Sequence, residues 1–138
     1  MMYSSIMVPV DLTHIEKLGR ALQVAADIAK LYGAEVHYLS VTPETPSELG
    51  KTPAEFSRKL QSFAEEQAEQ YGITTKAHPV ATHDPTADLN KTLRKAGDSI
   101  GADLIIMASH IPGFVDHIFH SHGGYMATHS DLSVLLVR

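Results

Sequence analysis

Three short apolar runs mark this chain: Ile6-Met7-Val8-Pro9-Val10, Leu104-Ile105-Ile106-Met107 and Val134-Leu135-Leu136-Val137. None alternates polar with apolar. A run of that kind reads as a strand covered on both faces, as in a parallel sheet packed between helices. Residues 35–41 and 73–81 form two further strands of mixed character, the first placed nearer a sheet edge, the second interrupted by His78-Pro79. Pro9 has no N–H for a ladder and belongs at its strand's end.

Between the strands the period changes to that of a helix. Ile15, Leu18, Leu22, Ala25, Ile28 and Ala29 share one face, after a capping box Thr13-His14-Ile15-Glu16 and before Gly33. Thr52-Pro53-Ala54-Glu55 opens a second helix with stripe residues Phe56, Leu60, Phe63, Gln67 and Tyr71, stopped by Gly72. Asp84-Pro85 opens a third, with Leu89, Leu93, Ala96 and Ile100 inward and Gly101 as the stop. A short last helix is expected around residues 123–129, with Ser121 as a cap. The Pro-rich residues 42–51 read as a mobile linker.

Alternating strands and helices call for right-handed crossovers and a parallel sheet. The expected fold is therefore α/β: one domain over residues 1–138, a three-layer sandwich with a five-stranded parallel sheet and helices on both faces. The last strand has no crossover after it and is placed at an edge. An apolar edge is an aggregation hazard unless paired, so a homodimer through this C-terminal strand is expected.

Composition narrows the function classes. At 138 residues, 43% hydrophobic and 20% charged, the chain has the make-up of an ordinary globular domain. Its formal charge of -5 lacks the basic footprint of nucleic-acid binding. No apolar stretch is long enough to span a membrane and no signal peptide is evident, which gives the expectation of a cytoplasmic protein without membrane contact. With no cysteine, disulfides and Cys-based zinc sites are excluded.

The most informative stretch follows the Leu104 strand: Asp103-Leu-Ile-Ile-Met107-Ala108-Ser109-His110-Ile111-Pro112-Gly113, running on to His120 and Ser121. In an open α/β sheet, ligands bind at the carboxyl ends of such strands. Together with Ile6-Met-Val-Pro-Val-Asp11 and Ser133-Val-Leu-Leu-Val-Arg138, this stretch resembles the universal stress protein family over the whole chain, in the same element order. The Met-Ala-Ser-His-x-Pro wording resembles one branch of it.

The resemblance implies a Rossmann-like fold of the adenine nucleotide alpha hydrolase type, a dimer through the last strand, and binding of AMP or ATP, with or without Mg. It implies a site in which Asp11 lies beside the ribose, or else caps the next helix. Pro9, Val10, Val41 and Met107 would line the adenine slot, with Ala108 at the first glycine position of the nucleotide loop. Ser109, His110 and Ser121 would face the phosphates; His120 would either block the site or, protonated, pair with a phosphate, and His122 is a further binding candidate. The implied role is a regulatory nucleotide-binding protein of the stress response, not primarily catalytic. Weak ATPase or autophosphorylation activity stays open.

The family's nucleotide loop reads G-x2-G-x9-G-[S/T], and here Ala108, Ile111 and His120 replace the three glycines. Glycine lets phosphate approach backbone amides, and Ile111, β-branched and before Pro112, is driven to extended geometry. Fewer free amides favour AMP over ATP. Two alternatives follow: a member that has lost nucleotide binding and acts through protein contacts, or a metal or pH switch built on His117, His120 and His122. The irregular His spacing and the missing cysteine weigh against a metal. No Gly-x-Ser-x-Gly elbow supports an Asp11, His110, Ser121 triad.

Overall fold

The structure, a computed structural model, describes residues 2–44, 52–82, 85–109 and 132–138, with backbone alone for 85–88. The chain begins with β1 (Ser5–Pro9) and a 3-10 helix (Leu12–Lys17). It continues with α1 (Gly19–Tyr32), β2 (Glu35–Pro43), α2 (Pro53–Tyr71), β3 (Thr74–Thr82) and α3 (Pro85–Ile100). β4 (Leu104–Ala108) and β5 (Ser133–Val137) complete the elements. The five strands form one parallel sheet in the order β3-β2-β1-β4-β5. The expected α/β fold with a five-stranded parallel sheet is therefore present.

Two crossovers step outward from β1 to β3, and the next reverses direction to reach β4, so handedness puts α2 and α3 on opposite faces. Side chains agree. Tyr38 of β2 meets Phe63 of α2 edge to face, with ring centroids 5.1 Å apart, and the Thr75 hydroxyl donates to the Ala64 carbonyl of α2. Met7 points the other way, and its Cε lies 3.7 Å from the place a Cβ on Gly97 of α3 would take. Both faces are thus covered, and Ile6, Met7, Val36, Tyr38, Leu39, Ile105 and Ile106 are almost wholly buried. That dual burial is why β1 and β4 lack alternation.

Local signals set most boundaries. Thr52 accepts from the Glu55 amide at 3.1 Å, and Pro53 sits in the first turn, as its missing N–H allows. Gly33 and Gly72 end α1 and α2 in the left-handed region, at φ 67° and 66°. The amino end of β1 is tied to β4 by Asp103. Its carboxylate accepts from the Ser4 amide (3.0 Å), the Ser4 hydroxyl (3.0 Å) and the Ser5 amide (3.1 Å).

Four expectations need correction. The Thr13–Glu16 capping box does not form: Asp11 caps a 3-10 helix, and α1 begins only at Gly19. β2 is an interior strand, and β3 is the edge. β3 also runs unbroken through His78-Pro79, because an edge strand can carry a residue without an N–H. Thr42 and Pro43 belong to β2, paired with Ala81 and Thr82, so the linker does not begin at Thr42. β5 lies at the other edge, as expected. Residues 45–51 and the short helix expected around 123–129 lie outside the described residues.

Candidate functional site

The strand order reverses direction between β1 and β4, which makes their carboxyl ends the switch point where open α/β sheets hold ligands. β1 pairs with β4 only at Ile6↔Leu104 and Met7↔Ile105, although both strands continue beyond. Pro9 contributes no N–H there. On the other side of β1, the pairing with β2 runs through Pro9↔Leu39, and the Val10 amide extends it to the Leu39 carbonyl at 2.8 Å. The sheet is thus zipped on one side of β1 and opens on the other.

The expected residues on β1, β2 and β4 gather at this end. Pro9 and Val10 are buried where β1 stops, and Asp11 follows. Continuing the register two residues past Pro9↔Leu39 brings Asp11 level with Val41. Continuing the β1–β4 register brings Pro9 level with Met107 and Asp11 level with Ser109. Met107 and Ala108 are buried at the end of β4. His110, His117, His120, Ser121 and His122, with Ile111 and Pro112, lie outside the described residues.

Asp11 performs the capping role that was one of its two readings. Its Oδ1 accepts from the Thr13 amide (3.0 Å) and the Thr13 hydroxyl (2.6 Å), and its Oδ2 lies 3.0 Å from His14 Nδ1. A carboxylate offers about four lone-pair directions, so these contacts leave Oδ2 room for about one further donor. The cap therefore holds the carboxylate in a fixed pose without saturating it. His14 was missed from sequence, although its i, i+3 spacing from Asp11 is a readable signal.

Ser109 is the most telling group. It is only 8% exposed, yet its hydroxyl has no hydrogen-bond partner among the described residues. Its amide is already committed to the Val137 carbonyl at 2.7 Å. A buried hydroxyl left unpaired costs about 1–3 kcal/mol. Such a group at the carboxyl end of β4 is suited to a ligand oxygen. Among the described residues no cluster of three or more His, Asp or Glu side chains could hold a metal ion. No helix among them is long and apolar enough to cross a membrane.

Known proteins of the same fold match this chain over nearly its whole length. Universal stress protein G of Salmonella typhimurium is 26% identical over 143 residues, covering 99% of this chain and all of that protein. Universal stress protein UspA from Lactobacillus plantarum superposes with a TM-score of 0.73 at 17% identity, covering 100% of this chain and 99% of the other. The universal stress protein from Archaeoglobus fulgidus, solved in complex with dAMP, gives a TM-score of 0.68 at 18% identity, with full coverage of both chains. The pattern described as the Universal stress protein family matches residues 2–138, and the chain belongs to that family.

Proposed function

We propose that this protein is a regulatory adenine-nucleotide-binding member of the family, acting in the stress response without catalysis as its main role. AMP would sit at the carboxyl ends of β1 and β4. Asp11 would accept from a ribose hydroxyl through its remaining Oδ2 direction, Val41 and Met107 would flank the base, and the Ser109 hydroxyl would meet the phosphate. His110, His120, Ser121 and His122 complete the phosphate side in this reading. The observation that carries it is the buried Ser109 hydroxyl at the carboxyl end of β4, without a hydrogen-bond partner among the described residues. The dAMP complex of the Archaeoglobus fulgidus protein supports the ligand class.

AMP is preferred to ATP because Ala108, Ile111 and His120 stand where phosphate-binding loops of the family carry glycine. The same replacements favour one second reading, a member that has given up nucleotides for protein contacts. Ser109→Ala separates the two. In the nucleotide reading it weakens AMP binding by up to about tenfold, the value of one net hydrogen bond, and leaves unfolding stability equal or higher. A protein that binds no AMP contradicts the proposal, and one that acquires binding only with His120→Gly is the second kind.

A homodimer is part of the reading. β5 is a sheet edge, and Leu136 on it is 42% exposed. Pairing with β5 of a second copy would cover that residue and extend the sheet.

A further inference from the structure

A second polar cluster lies under α3, away from the strand-end crevice. His37 of β2 is only 6% exposed, and its Nδ1 lies 2.8 Å from Nε2 of His78 on the edge strand β3. The ring centroids are 5.0 Å apart, which is that nitrogen separation plus one ring radius at each end. The two nitrogens therefore face each other nearly head-on, the geometry of a hydrogen bond with a single proton between them. Lone pairs so aimed do not converge on a shared metal ion.

The second nitrogen of His37 fixes the proton's position. Nε2 lies 3.4 Å from the Glu35 carboxylate, which can only accept, so Nε2 carries hydrogen. A neutral His37 then has a bare Nδ1, and His78 Nε2–H is the donor across the strands. The surroundings are otherwise poor in charge. Lys76 of β3 holds Glu35 at 3.7 Å, and Met7 of β1 stands level with His37. From α3, Ala96, Ser99 and Ile100 line a cavity of about 250 Å³ beside His78, together with Leu39 and Val80. No α3 residue lining that cavity is charged.

We propose that His37 and His78 form an acid-sensitive latch that holds the edge strand β3 against the sheet: one shared proton closes it, and charging both rings opens it. When both facing nitrogens carry hydrogen, nothing remains to accept, and two cations cannot stay 2.8 Å apart. His78, the half-buried partner on the free edge, is the ring that moves. Burial first, then the charges of His78 and Lys76, push His37 below its ordinary 6.5, with Glu35 opposing; burial and Lys76 do the same to His78. The closed form consequently prevails at neutral pH.

Long-range proton–nitrogen spectra of the imidazoles test it in the intact protein. The expected result is that His37 and His78 are both Nε2–H tautomers at about pH 7.5 and titrate together, below 6.5. Amide exchange supplies the second readout. After correction for intrinsic rates, protection of the Lys76, His78 and Val80 amides, the alternate residues that face β2, should fall by roughly tenfold or more between about pH 7.5 and 5. The double variant H37F/H78F should lose that pH dependence; if it fails to fold, the tautomer and titration data on the native protein still decide. Independent titration of the two rings at 6.5, or β3 protection that does not change with pH, overturns the proposal.

Discussion

Replacing Asp103 by alanine probes how the two central strands are aligned. The wild-type carboxylate collects three hydrogen bonds from residues nearly a hundred positions away, two from main-chain amides and one from the Ser4 hydroxyl. Hydrogen bonds to a charged acceptor are worth about 1.5–3 kcal/mol each when shielded. Ser4 is exposed, and water would replace Asp103 at its amide and hydroxyl with little loss. The half-buried Ser5 amide is the bond that counts in full. The expected loss for Asp103→Ala is therefore about 1.5–3 kcal/mol, read as a lower urea midpoint with an unchanged slope.

The pH dependence supplies the sharper check. Burial alone would raise the Asp103 carboxyl, but the Ser4 and Ser5 donors outweigh it and hold it below the ordinary 3.8. A group depressed in the folded state binds fewer protons there than in the unfolded chain. Its contribution is fully present above the unfolded value and is lost as pH falls through the folded one. Wild type and Asp103→Ala should thus differ fully at neutral pH and converge as pH falls through the depressed folded-state value, below 3.8. A difference under about 0.5 kcal/mol at neutral pH, or one that is the same at both ends, would refute the clasp.

Three other expectations are simpler. Leu60→Ala, at a fully buried position on α2, should cost about 2–5 kcal/mol in equilibrium unfolding. Thr52→Ala removes the acceptor for the Glu55 amide and should cost about 1 kcal/mol by the same assay. Leu136→Lys should convert the homodimer proposed through β5 into a monomer in sedimentation experiments, leaving the helical content unchanged.

The architecture was legible because burial dictates pattern. β1 and β4 are covered on both faces and so read as unbroken apolar runs; α2 declared its ends through Thr52, Pro53 and Gly72. What sequence missed was competition between neighbours. Thr13 resembled a helix cap, but Asp11 two residues earlier captures its hydroxyl and amide, delaying α1 to Gly19. Pro79 resembled a break, but its strand is an edge with one side free. Asp11 and Ser109 were legible as strand-end positions because strand ends are marked by the first polar residues. The His37–His78 contact was not, since it joins residues 41 apart through a strand register that local pattern does not encode.

The most direct test of the central claim is calorimetric titration of AMP into protein stripped of bound small molecules by denaturation and refolding. Saturable binding of one AMP per chain, weakened by Ser109→Ala without loss of stability, is the predicted result. No heat of binding at millimolar AMP from correctly refolded protein would contradict it.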